Sequence, residues 1–345
     1  MQYKNLGRTG LKVSRITIGA MNYGDPLSEA DSIKIIKGAI DLGVNFIDTA
    51  DGYGDGKSEE IIGKAVKDDR QSVILATKGG VIVGPRPNDS GLSRYHIMQA
   101  VENSLKRLQT DYIDLYYAHF PDSETPYEET LRAMDDLVHQ GKVRYIACSN
   151  YPAWMVSRTL GISELHNLVR FECVQSVYNL LARDIEIELL PFCKSEQLGV
   201  ITYNPLAGEL LTGKHQFGKP PAEGRFTHER LGAGYLKRYW SEMNFKAVER
   251  LSELAKAHGC TMAQFALAWI LSNETITSIL SGMTLIEQVK ENLEATEIKL
   301  SQEDLDVCNE VWQMFRPERA AYITTIQDLR NKMGGGGKPA SRIQT

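Results

Sequence analysis

The sequence predicts an α/β fold: a (β/α)8 TIM barrel with a short N-terminal β-hairpin closing the bottom and long βα loops over the C-terminal rim. Three observations lead there. Short apolar runs alternate with segments of helical period along most of the 345 residues. Each connection is long enough to hold a helix, which favours parallel crossovers over hairpins. No G-x-G-x-x-G turn follows the first run, where Ile18-Gly19-Ala20-Met21-Asn22-Tyr23-Gly24 stands instead, so a closed barrel is preferred to an open doubly wound sheet.

Taken in order, a hairpin is expected across Tyr3, Gly10 and Val13, then strands at 16–19, 44–48, 73–77, 112–118, 143–148, 173–177, 200–203 and 276–280. Helix starts are marked by caps. Ser28 with Asp31 precedes Ile33, Ile36 and Ile40. Ser93 precedes Ile97, Val101, Leu105 and Leu108. Thr125 reads as an N-cap, with Pro126 at N1 and Glu128 reaching back, ahead of Leu131, Met134 and Val138, and Gly141 ends that helix. Thr261 with Gln264, and Thr284 with Glu287, open two more, and Leu305, Val307, Val311 and Trp312 mark a terminal helix. Two connections, 79–93 and 206–240, exceed the usual length of about 12–15 residues for a structureless loop and follow strands, which makes them lid candidates on the rim. Residues 1–330 are expected to form one barrel domain and 331–345 a flexible Gly-rich tail.

Composition narrows the function classes. With 39 basic and 44 acidic residues the net charge is −5, so no basic face for nucleic acid is expected. No apolar run approaches the length of a membrane span and no leader pattern opens the chain, so a cytoplasmic protein with no membrane partner is expected, its oligomeric state left open. Cys148, Cys173, Cys193, Cys260 and Cys308 are far apart and lack C-x-x-C spacing, which reads as small buried hydrophobes rather than a metal or disulfide framework.

Chemistry gathers at three consecutive strand ends: Asp48, Lys78 and His119, with Tyr53 just beyond the first. Singly, each has a plain structural reading: a loop cap, a solvated strand-end lysine, a core histidine, loop packing. Parallel neighbouring strands would bring them to one rim, and that convergence marks a site.

Seven segments in order then carry a resemblance: 46–66 (FIDTADGYGDGKSEEIIGKAV), ILATKGG, IDLYYAHFPD, GKVRYIACSNY, VQSVYN, TYNPLAGELLTGK and SGMTLIEQVKENL. Together they resemble the aldo-keto reductases, and also the related potassium channel β subunits. The resemblance implies hydride transfer between NADP(H) and a small-molecule carbonyl or alcohol (aldehyde, ketone or sugar), with Tyr53 as general acid/base assisted by Lys78, Asp48 and His119. A free tyrosine titrates near about 10, and a neighbouring ammonium is expected to lower that value. The resemblance also implies a cofactor set: Ala20, Met21 and Asp48; Ser149, Asn150 and Gln175 at the carboxamide; Tyr203 against the nicotinamide ring; and Asn204, Pro205, Leu206 and Gly208 toward the pyrophosphate. Lys214 and Arg225 match basic positions near the adenosine phosphates, and Gly282, Thr284, Gln288, Glu291 and Asn292 match the adenosine end. Many family members carry Arg or Lys where Thr284 stands here; NADP(H) is still favoured, with NAD(H) possible. The substrate rim is expected to include Met21, Tyr23, Phe120, Tyr151 and Trp240. Two rivals remain: a cofactor-binding regulatory subunit, and an aldolase in which Lys78 forms a Schiff base.

Overall fold

A computed structural model describes residues 1–229 and 231–315. Its first element is the expected hairpin, β1 (Tyr3–Asn5) antiparallel to β2 (Lys12–Ser14). Leu6 and Val13 are fully buried and join Phe46, Ala76, Leu115, Tyr117, Ala147, Cys173 and Ile201 in one apolar cluster that fills the lower barrel. The hairpin approaches the barrel so closely that Gly7, at φ 56°, could not carry a side chain: a Cβ there would lie 2.4 Å from the Gly199 nitrogen.

Eight strands follow: β3 (Ile16–Gly19), β4 (Phe46–Asp48), β5 (Ile74–Gly79), β6 (Ile113–Ala118), β7 (Val143–Ser149), β8 (Phe171–Val177), β9 (Gly199–Tyr203) and β10 (Ser278–Ser281). Each pairs parallel with the next, and β10 pairs with β3, closing the barrel. All eight expected strands are present, within about two residues at their ends, and the fold is the (β/α)8 barrel.

The helices are α1 (Glu29–Asp41), α2 (Lys57–Val66), α3 (Arg94–Leu108), α4 (Tyr127–His139), α5 (Ala153–His166), α6 (Leu189–Ser195), α7 (Gly232–Tyr239), α8 (Glu242–Ala257), α9 (Met262–Ser272), α10 (Ile286–Glu294) and α11 (Gln302–Gln313). Ser28 accepts from the Asp31 N–H at 3.1 Å and Ser93 from that of His96 at 3.3 Å. Thr261 and Gln264 form the reciprocal capping box that their spacing predicts.

Two starts differ from expectation. At α4 the N-cap is Pro126, in an extended conformation, because the Thr125 hydroxyl instead donates to the Asp122 carboxylate at 2.7 Å. At α10 the start falls one residue later: Gln288, not Glu287, reaches back and accepts from the N–H groups of Thr284 and Leu285.

The 206–240 connection is not a plain loop. It holds two 3-10 turns, Ala207–Thr212 and Arg225–Thr227, and then α7. A further helix beyond those expected is α8, whose Ser241 cap and buried Asn244, Ala247, Val248, Leu251 and Ala255 follow a helical period. In α11 the inward face is Cys308, Val311 and Trp312, with Val307 only half-buried. Four of the five cysteines are buried and all are free. The Gly-rich tail lies outside the described residues, among which no helix is long and apolar enough to cross a membrane.

Because Leu6 plugs the barrel from below, Leu6→Ala is expected to lower unfolding stability by about 2–5 kcal/mol. A urea midpoint within error of the parent would show that the hairpin does not seal the core.

Candidate active site

Side chains along a strand alternate between its two faces, so a residue two positions beyond a core residue points inward one layer higher. Six strands repeat this step. Phe46, Ala76, Tyr117, Ala147, Cys173 and Ile201 line the lower core, and two residues later come Asp48, Lys78, His119, Ser149, Gln175 and Tyr203. The upper layer of the barrel is therefore polar, at the carboxyl end of the strands.

Its centre is an ion pair. Lys78 is fully buried and Asp48 nearly so, and the Lys78 ammonium donates to Asp48 Oδ1 and, at 2.7 Å, to the Thr49 carbonyl. The other carboxylate oxygen of Asp48 accepts from Gln175 Nε2 at 2.8 Å. Lys78 is thus not the solvated lysine that its position alone allowed. Burial pushes its pKa down, but Asp48 and Tyr53 outweigh it and hold the ammonium above the usual lysine range. Burial likewise pushes the Asp48 carboxyl up, with Lys78 and Gln175 opposing.

Tyr53 opens the 3-10 turn Tyr53–Gly56 in the connection that follows β4 and is half-buried. Lys78 Nζ lies 5.1 Å from its ring centroid, and the His119 ring stands edge-on at 5.9 Å. Here the expectation of a lowered phenol pKa is corrected: burial raises it, and Lys78 only partly offsets the rise. His119 is 8% exposed, and its Nδ1 is buried with no hydrogen-bond partner among the described residues. Burial first, and Lys78 second, lower its pKa to about 3, so the imidazole is neutral.

The amide groups around this centre are heavily used. Asn150, in the left-handed conformation that Asn tolerates, donates to the His119 carbonyl at 3.0 Å and to Ser149 Oγ at 3.1 Å. Its Oδ1 accepts from the Tyr203 hydroxyl at 2.8 Å. Asn204, also left-handed, accepts from the Gly208 N–H and donates to the Tyr239 hydroxyl, each at 2.8 Å. Ala20 is buried, its N–H bound to the Asp48 carbonyl, while Met21 is half-buried. Pro205 is buried and Leu206 half-buried beside them.

The remaining expected residues form two further groups. Lys214 pairs with Glu209 at 2.6 Å, and the Arg225 guanidinium lies 5.7 Å from the Tyr235 ring centroid. At the start of α10, Gln288 Oε1 gathers Thr284 and Leu285, near the exposed Gly282. Two members there are engaged in the fold: Glu291 accepts from the Thr261 hydroxyl at 2.7 Å, and the buried Asn292 donates to Ser281 Oγ at 2.9 Å.

The expected substrate rim needs correction. Tyr23 is fully buried in the main core, and Tyr151 packs edge-on to Phe171 inside it, so neither lines an open rim. The Trp240 ring contacts His215, Phe226 and Phe245 rather than the Tyr53 group. Phe120 is 51% exposed and stacked on His119 at 4.8 Å. Sequence reasoning missed Thr49, Glu209, Tyr235 and Tyr239. Only Thr49 carried a signal, its adjacency to Asp48.

The chain matches the aldo/keto reductase family over residues 15–313. It is 38% identical over 306 residues to "Probable voltage-gated potassium channel subunit beta" of Arabidopsis thaliana, covering 86% of this chain and 92% of that one. It is 38% identical over 323 residues to "Uncharacterized oxidoreductase YrpG" of Bacillus subtilis (strain 168), covering 90% and 96%.

The chain belongs to the aldo/keto reductase family. A third relative, "Versiconal hemiacetal acetate reductase" of Aspergillus parasiticus, is 35% identical over 339 residues, covering 90% of this aldo/keto reductase and 96% of its own length.

The buried neutral His119 makes a stability prediction. Its folded pKa of about 3 lies below the unfolded value of about 6.5, so between those values only the unfolded chain takes the proton. Folding stability from this group is present above about pH 6.5 and falls as the pH drops, by at most about 1.4 kcal/mol per unit. In His119→Asn this loss should vanish, so the parent declines more steeply from pH 7 to pH 4.5 in denaturant titrations. Equal slopes would mean that His119 is not held neutral.

Proposed function

We propose that this aldo/keto reductase transfers hydride between a nicotinamide cofactor and a carbonyl or alcohol, with Tyr53 as the proton donor. The observation that carries the reading is the gathering of Tyr53 and His119 around the buried Lys78–Asp48 pair. The polar groups beside it fit a primary carboxamide. Ser149 keeps a hydroxyl hydrogen to donate, while Gln175 Oε1 and the second lone pair of Asn150 Oδ1 can accept its NH2. Tyr203, its hydroxyl tied to Asn150, offers a fixed ring face. Asn204, Pro205, Leu206 and Gly208 continue the wall, Lys214 and Arg225 supply charge for phosphates, and Thr284, Gln288, Glu291 and Asn292 take the adenosine end.

A bound reduced nicotinamide supplies hydride from its C4. The protein does the rest. Tyr53, with its pKa raised, keeps its proton at neutral pH and gives it to the carbonyl oxygen as negative charge develops there. Lys78, held charged by Asp48, stabilises the phenolate that is left. The neutral His119 imidazole carries one N–H, with which it can orient the carbonyl. Phe120 offers an exposed apolar face to the substrate's remaining groups, whether aldehyde, ketone or sugar.

Lys214 and Arg225 favour NADP(H) over NAD(H), and KM values for the two cofactors test this, a clear NADH preference refuting it. The similarity to the Arabidopsis channel subunit keeps a cofactor-binding regulatory subunit as the second reading. An aldehyde panel decides, since cofactor binding without turnover supports the subunit. The aldolase alternative is disfavoured, because a lysine held as a buried ammonium is a poor nucleophile.

Tyr53→Phe should bind NADPH as the parent does while turnover falls at least ~100-fold, the scale of losing a positioned general acid. Near-parental turnover would remove Tyr53 from this role.

A further inference from the structure

Ala207, Gly208 and Glu209 have φ values of 50°, 66° and 82°. Glycine suits this left-handed region, and a glutamate does not. The Glu209 carboxylate accounts for the exception by tying the 206–240 connection together. Its Oε1 accepts from the Arg225 N–H at 3.0 Å, and its Oε2 lies 2.6 Å from Lys214 Nζ. Beside that ion pair Oε2 makes no aligned hydrogen bond, and the group presses on Gly224, where a Cβ would meet Oε2 at 2.2 Å.

Lys214 and Arg225 are the two residues that the proposed function puts at the cofactor phosphates, and the inference rests on that reading. A phosphate arriving there meets a lysine already paired with a carboxylate. It must share or displace that partner, against repulsion from the acid itself.

We infer that Glu209 is a specificity-determining counter-charge, which competes with the cofactor phosphate for Lys214 and so weakens the binding of NADPH. Neutralising it should tighten NADPH by about 3–10-fold at low ionic strength, the scale of removing one partly exposed charge a few ångströms from a phosphate, with the gain shrinking as salt is added.

The test is equilibrium titration by nicotinamide fluorescence, with NADPH and NADH, of the parent, Glu209→Gln, Glu209→Gly, Lys214→Ala and the Glu209→Gln/Lys214→Ala double variant. Both Glu209 variants are expected to bind NADPH more tightly, and the gain is expected to disappear when Lys214 is absent. A gain in Glu209→Gly but not in Glu209→Gln would trace the effect to backbone strain and overturn the inference. So would unchanged or weaker NADPH binding in Glu209→Gln, which would make the carboxylate a structural tie that helps the site. A parent that binds neither dinucleotide would sink the proposed function and this inference with it, whereas a parent that binds normally isolates the fate of Glu209.

Discussion

A buried ammonium must be matched by charge and hydrogen bonds at once, and Lys78 imposes that requirement on the upper barrel. Asp48 and the Thr49 carbonyl meet it from β4, and Gln175 reaches across the barrel from β8 to hold the second oxygen of Asp48. Register makes this reach possible. Asp48 pairs with Ala76, so Lys78 stands one inward step further along β5, while Ser149 stands level with Gln175. Removing one charge of the pair would strand the other, so the pair is held by need rather than by excess stability.

Around the pair, electrostatics sort the neighbours. The same burial that keeps His119 neutral keeps the Tyr53 phenol protonated, against the pull of Lys78. The two asparagines at the ends of β7 and β9 adopt backbone conformations uncommon for other residues; the Asn150 amide joins the ends of β6 and β9, and the Asn204 amide ties the turn at Gly208 to Tyr239 of α7. Strain of this kind gathers where geometry matters more than local stability.

Much of this was legible in the residues. The period-two step from core to polar layer is written in six of the barrel strands, β4 to β9, and capping pairs such as Ser28 with Asp31 announced their helices. The misses have physical causes. Aromatic side chains near a strand end, such as Tyr23 and Tyr151, have the same composition whether they line a rim or fill a core, and only packing separates the two. The phenol pKa depended on whether burial or Lys78 won, a balance that a linear sequence does not contain. Glu209 acts through the folding of two 3-10 turns onto each other, Ala207–Thr212 and Arg225–Thr227, which have no period to read.

The closure of the barrel has a temporal side. β3 pairs with β10, which joins residues 16–18 to residues 279–281 and closes the ring of eight strands without an edge. Pairing so remote in sequence must pay its loop entropy before any contact rewards it. The seam is therefore the part of the ring most dependent on the rest being in place. During synthesis the chain has to wait for almost all of the barrel to emerge before the polar layer it encloses can be cut off from water.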